Sequence, residues 1–208
     1  MKKTDFSFIA PFYDLISYLV YGNTLRRAQE FYLNKLEENS EILIIGGGTG
    51  YILQSLSLQN KKFNITYIEF SEKMLELSKK RKKSSDQKVN YILGSEVNIT
   101  DQNYDVILAG FFLDVFKEER LEHVLKIFHD KLKERGKLIV TDFRFSKKKK
   151  YFQMILSYLM HKFFKFFASL ESQSLKDINA IILKAGFILE NKKYFYGDFI
   201  FTGLYMKK

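Results

Sequence analysis

Residues 41–50, Glu-Ile-Leu-Ile-Ile-Gly-Gly-Gly-Thr-Gly, constrain this chain more than any other stretch. Ile42 to Ile45 are branched aliphatics, as suits a strand buried on both faces. Gly46, Gly48 and Gly50 let the backbone turn sharply and approach a ligand with no Cβ in the way. A helical pattern begins at Tyr51, so its free N–H groups face whatever the turn holds. A second apolar run, Asn64 to Ile68, closes with Glu69, nineteen residues after Gly50. An acid at that strand end can accept hydrogen bonds from both hydroxyls of a ribose. Strand, glycine turn, helix and distal acid predict a nucleotide-binding crevice in a doubly wound sheet.

The glycine spacing narrows the ligand. A dinucleotide fingerprint, G-x-G-x-x-G, needs glycine at position 51, and this chain has Tyr51. That disfavours a nicotinamide oxidoreductase. The G-x-G-x-G that stands here resembles the first motif of class I S-adenosylmethionine-dependent methyltransferases. Three later segments are similar to small-molecule members of that family: Tyr104 to Leu108, Leu132 to Leu138 and Leu183 to Phe187. They occur in the family's order from about Glu41 to the C-terminus. The opening Phe8-Ile9-Ala10-Pro11-Phe12-Tyr13-Asp14 resembles that of ubiquinone/menaquinone C-methyltransferase-like proteins.

The resemblance implies an α/β fold: a doubly wound, seven-stranded, mostly parallel sheet with an antiparallel last strand. It implies S-adenosyl-L-methionine as cofactor and S-adenosyl-L-homocysteine as product. Carried over by motif, Gly46, Gly48 and Gly50, with Gly47 and Thr49 in the same loop, approach the methionyl and ribose parts. Glu69 holds the ribose diol and Phe70 covers one adenine face. The Gly94-Ser95-Glu96 loop meets the adenine edge, and Ala109-Gly110 lies beside the amino-acid end. Two positions depart from the pattern: Ile44 stands where an acid usually orders the ligand's amino group, and Ser95 where aspartate is common. The Ile-Ile-Gly-Gly-Gly run is also similar to the aminopropyltransferase loop, although those enzymes have aspartate where this chain has Thr49.

Composition bounds the rest. With 208 residues and 46% hydrophobic content, one core and one domain are expected over 1–208. Within it, 1–35 reads as an N-terminal helical cover and 144–172 as a basic, aromatic lid insert. No cysteine is present, which excludes a disulfide framework, a thiolate zinc site and a cysteine nucleophile, and fits a cytoplasmic protein. His123, His129 and His161 have no spacing that points to a metal. Asp5, Pro11 and Asp14 interrupt the N-terminal apolar stretch, so it does not read as a secretory signal. Tyr151 to Met160 is too short to span a bilayer.

The insert pairs a cationic run, Lys147 to Lys150, with an aromatic stretch to Leu170 that contains no acid. Such a helix suits either a lid over a lipophilic acceptor or a peripheral contact with an anionic membrane. The net charge of +10 admits nucleic acid, but the lysines are dispersed and no recognised RNA-binding module accompanies them. Nucleic acid is therefore not expected as a partner. Nothing in the sequence defines an oligomeric state.

The fourth strand ends without the Asn/Asp-Pro-Pro-aromatic motif of many base-amine methyltransferases. A small acceptor, lipophilic or phenolic and quinone-like, is expected instead. Tyr13, Tyr21, Phe112, Arg144 and His161 are the candidate acceptor contacts; no catalytic residue is assigned, because a sulfonium methyl needs alignment more than a base. Two other functions stay open: a non-catalytic module that uses the basic insert for a membrane or partner, and aminopropyl transfer. Secondary elements are expected at Ser71 (helix cap, with Met74, Leu75 and Leu77 inward), Val89 to Leu93, Asp105 to Ala109, Glu118 to Leu132, Lys137 to Phe143 and Leu175 to Lys184. A closing hairpin is expected from Phe187 to Tyr194 and Phe199 to Met206.

Overall fold

A computed structural model describes residues 10–144 and 177–208. In chain order it contains α1 (Ala10–Tyr21), α2 (Thr24–Glu30), β1 (Ser40–Ile45), α3 (Tyr51–Ser57), β2 (Phe63–Glu69) and α4 (Glu72–Lys79). There follow β3 (Gln87–Leu93), β4 (Tyr104–Gly110), α5 (Glu118–Lys131), β5 (Leu132–Phe143), α6 (Ile178–Lys184), β6 (Phe187–Phe195) and β7 (Ile200–Lys207). The strands form one sheet in the order β3-β2-β1-β4-β5-β7-β6. β1 to β5 are mutually parallel, and β7 runs antiparallel to both β5 and β6.

The alternation of side chains explains the layering. Leu43 and Ile45 of β1, Ile107 and Ala109 of β4, and Leu138 and Val140 of β5 share one face with α5 and α6. Ile42, Ile44, Val106, Leu108 and Ile139 share the other with Leu53 and Leu56 of α3 and Leu75 of α4. Both faces are apolar, so neither can be left in water, and each buried aliphatic side chain contributes about 1.5–3 kcal/mol.

Strand order also fixes where a ligand sits. The chain leaves β1 toward β2 on one side and reaches β4 on the other, so a crevice opens at the carboxyl ends of β1 and β4. The turn between β6 and β7 is tight because Tyr196, Gly197 and Asp198 all have positive φ (52°, 60° and 68°).

Most expected spans agree with the structure to within a few residues. Ser71 caps α4, its side chain accepting from Met74 N–H at 3.4 Å. Leu77 is only partly buried there, and Ser78 takes the inward place, its hydroxyl donating to Leu75 O at 2.7 Å. β5 starts at Leu132, five residues before the expected Lys137, because the ladder to β4 continues through a bulge beside Arg135, whose φ is 59°. α6 is capped by Asp177, which accepts from Ala180 N–H at 3.1 Å; the expected start at Leu175 and the insert from 145 to 172 lie outside the described residues.

Candidate active site

The glycine turn hangs from β2 by two hydrogen bonds, Gly46 and Gly47 N–H to Ile68 O at 3.0 and 3.4 Å. Gly46, Gly48 and Gly50 have φ of 65°, 61° and 85°, the left-handed region that glycine enters without penalty. Gly47 is needed for space: a Cβ there would lie 2.2 Å from the Tyr67 ring. Tyr67 is fully buried and its hydroxyl donates to Gly48 O at 3.0 Å.

Glu69 faces this turn. One carboxylate oxygen accepts from Gly48 N–H at 2.8 Å and the other from Ser71 N–H at 2.8 Å. The side chain is 8% exposed, and burial raises its pKa against the opposing effect of the backbone N–H donors Ser71, Gly48 and Phe70. Next to it Phe70 is 44% exposed.

The loop after β3 supplies the far edge. Ser95 N–H donates to Asn98 Oδ1 at 3.0 Å, and this fold-back needs Gly94, where a Cβ would sit 2.3 Å from that oxygen. Glu96 is 4% exposed; Oε1 accepts from Arg120 Nη2 at 2.8 Å, while Oε2 has no partner among the described residues.

The crevice itself, about 360 Å³ including its open side, lies between Ile44, Gly46 and Gly47 on β1 and Leu108, Ala109 and Gly110 on β4. β2's Glu69 and the β3 loop continue the same line of strands outward. The glycine-rich turn leaves the space above Gly48 open, where the nearest atom to an added Cβ is Met74 Sδ at 4.0 Å.

On the other side, the chain bends abruptly after β4. Phe111 has φ 54°, costly for a bulky residue, and its N–H donates to Thr141 O at 2.7 Å. Asp142, fully buried at the end of β5, holds this bend: it accepts from Leu113 and Asp114 N–H at 3.0 and 3.2 Å and from Phe143 N–H at 2.9 Å. Burial first, and the charge of Asp114 second, push its pKa well above the usual carboxylate range. Around the bend lies an aromatic cluster. Phe143 packs against Phe111, Phe199 and Tyr21 with centroids 4.8, 5.2 and 5.8 Å away, and Tyr196 lies 5.3 Å from Tyr21.

The candidate acceptor contacts do not all converge. Tyr21 is buried in that cluster. Phe112 lies under the glycine turn, its Cδ2 2.8 Å from where a Gly46 Cβ would be, and packs edge-on against Phe116. Arg144 stacks its guanidinium over Tyr194 at 4.7 Å. Tyr13 falls within α1 with its side chain outside the described set, and His161 lies outside the described residues.

Sequence reasoning missed a latch that fastens the N-terminal helices to the turn. Thr49 Oγ1 donates to Asp14 Oδ1 at 2.7 Å, and Arg81 pairs with the other oxygen of Asp14 while its Nε donates to Thr49 O at 2.9 Å. Tyr51, in the place of a dinucleotide glycine, is sandwiched between Arg26 and Arg81, each guanidinium carbon 3.3 and 3.6 Å from its centroid. Ser55 of α3 donates to Glu30 of α2 at 2.5 Å. Asp142 was also missed, though it ends a buried strand just as Glu69 does. Among the described residues no cluster of histidine and acidic side chains could hold a metal.

The strand order and the flanking helices define an α/β protein of the doubly wound class. The methyltransferase-domain family profile matches residues 43–138, from β1 into β5. The malonyl-[acyl-carrier protein] O-methyltransferase of Priestia megaterium is 31% identical over 134 residues, or 61% of this chain and 47% of that protein. The demethylmenaquinone methyltransferase of Thermotoga maritima is 28% identical over 171 residues, or 80% of this chain and 72% of that one. The match thus spans about half the length of the first relative and more of the second. An S-adenosylmethionine-dependent methyltransferase from Clostridium acetobutylicum superposes with a TM-score of 0.64 at 14% identity, over 95% of this chain and 98% of that one; that likeness speaks for the fold. Over residues 43–138 the chain is similar to the methyltransferase-domain family, and it shares the fold of S-adenosylmethionine-dependent methyltransferases.

Proposed function

We propose that this chain transfers a methyl group from S-adenosylmethionine to a small acceptor with a lipophilic, phenolic or quinol-like body. The observation that carries the reading is the pairing of a glycine-rich turn at Gly46 to Gly50 with a buried, doubly anchored Glu69. Bound there, the cofactor supplies a methyl group activated by its sulfonium, ready for in-line displacement by a carbon, oxygen or nitrogen nucleophile. The chain's own part is positioning. Glu69, already fixed by two N–H donors, keeps lone pairs for the ribose hydroxyls; Phe70 covers one adenine face. Glu96 Oε2, the unpartnered oxygen of a buried carboxylate, suits the adenine amino group. Gly46 to Gly50, with Gly47 and Thr49, and Ala109-Gly110 bound the 5′ end.

The acceptor reading is supported by the aromatic cluster of Phe111, Phe143, Tyr21 and Tyr196 at the bend that follows β4, and by the relative named for demethylmenaquinone. Phe112, Arg144, Tyr13 and His161 remain acceptor contacts of this proposal, with no catalytic base assigned. We treat 1–208 as one methyltransferase domain in which 1–35 covers the site and 144–172 supplies a lid. A cytoplasmic place rests on the cysteine-free composition, and peripheral membrane contact on the basic aromatic run; among the described residues no helix is long and apolar enough to cross a membrane. Purified protein with methyl-labelled cofactor and a panel of phenols and naphthoquinols tests the reading by mass spectrometry. Label transfer to a ring-bearing acceptor supports it; cofactor binding without transfer to any of them removes this acceptor class.

A further inference from the structure

We infer that Gln29 is the residue that reads the amino-acid end of the donor, a role the sequence motif leaves vacant at Ile44; the inference rests on the cofactor reading above. The strand order sets the direction. From β3 through β2 to β1 and β4, the adenine loop, the ribose acid and the crevice lie in one line, so a group on the 5′ carbon enters the crevice between β1 and β4. That crevice is apolar. Ile44, Ile52, Leu108 and Ile139 line it, and among its lining side chains only Gln29 and Thr141 are polar.

Thr141 is already engaged: its hydroxyl meets Thr202 Oγ1 at 3.1 Å and Ala28 O at 3.5 Å. The Gln29 amide has no hydrogen-bond partner among the described residues. It lies against Gly110 at the end of β4, where a Cβ would come within 2.6 Å of Nε2, so the glycine makes room for the amide. Its backbone is held one residue earlier, since Ala28 is fully buried and its carbonyl also accepts from Thr202 Oγ1 at 2.8 Å.

An ammonium and a carboxylate entering such a crevice without a partner would be costly. A neutral amide offers one acceptor and two donors, so it can pair with either end of a zwitterion without carrying a buried charge of its own. Ile44 then needs no replacement: the polar contact comes from the opposite wall.

Calorimetry on wild type and Gln29→Leu, with S-adenosylhomocysteine and 5′-methylthioadenosine (which lacks the amino-acid end), tests this. The expected result is about a tenfold loss for S-adenosylhomocysteine and less than about a twofold change for 5′-methylthioadenosine. Gln29→Glu is the second variant: it favours the ammonium and repels the carboxylate, so preference moves toward the decarboxylated homologue of the ligand. Equal losses for both nucleosides, or no loss for either, overturn the role. Wild type that binds both nucleosides equally overturns it while leaving the nucleoside site standing; wild type that binds neither brings down the cofactor reading itself.

Discussion

The two sides of the crevice are built differently. The proposed nucleoside side comes from short stretches at strand ends: Gly46 to Gly50, Glu69 to Ser71 and Gly94 to Glu96. Its central bond joins Gly48 and Glu69, 21 residues apart. The proposed acceptor side is assembled across the chain: the Tyr196 hydroxyl donates to Val20 O over a separation of 176 residues, and Leu113 N–H meets Asp142 over 29. A site made of strand-end loops can be set by local spacing, whereas one made of distant elements depends on buried polar anchors. Damage to an anchor should therefore affect stability and acceptor handling while sparing nucleoside affinity.

Asp142→Ala is the strongest break. It leaves three backbone N–H groups without an acceptor, at about 3 kcal/mol in urea unfolding. Asp142→Asn keeps one oxygen and should cost about 1 kcal/mol, with S-adenosylhomocysteine affinity within about threefold of wild type. The pH sign is fixed by the raised pKa: the folded state holds the proton more tightly than the unfolded one. Stability therefore falls as pH rises from the ordinary aspartate range through the raised folded value, and the asparagine variant loses that slope.

Gly47→Ala strikes the other side. Its Cβ meets the buried Tyr67 ring, so about 1–3 kcal/mol of stability and at least about tenfold in S-adenosylhomocysteine affinity should go together. Equal loss of nucleoside binding in Asp142→Asn and Gly47→Ala would erase the contrast between the two sides.

Glu69 gives a milder, pH-dependent signature. Only its ionised form accepts both ribose hydroxyls, so affinity measured by calorimetry weakens as pH falls through its raised pKa, sooner than an ordinary glutamate would dictate. The smallest effect belongs to the latch. Asp14→Asn weakens a partly exposed pair with Arg81, worth less than about 1 kcal/mol in a melt, but should speed ligand release in stopped-flow measurements.

The same contrast explains what the sequence made legible. A buried strand followed by glycine and a helix is a local signal, so β1, α3 and β2 stood where the pattern put them. β5 began earlier than the expected Lys137 because a bulge carries the ladder to β4 through polar Lys133 to Arg135. Ser78 took an inward place that Leu77 was expected to fill, since its hydroxyl is satisfied by the helix's own carbonyl. Gln29 and the Asp14–Arg81 latch carry no local signature; only the packing of α1, α2 and α4 against the turn brings them to the site. Asp142 did carry one, an acid closing an apolar strand, and differs from Glu69 only in lacking a glycine turn to point at it.

The most direct measurement is calorimetric titration of S-adenosylhomocysteine into wild type, Glu69→Gln and Glu69→Ala, with melts to confirm folding. Two hydrogen bonds to a charged acceptor predict micromolar binding by wild type, about a hundredfold loss in Glu69→Ala and a smaller loss in Glu69→Gln. Absent binding to folded wild type, or equal affinity in all three proteins, would contradict the account.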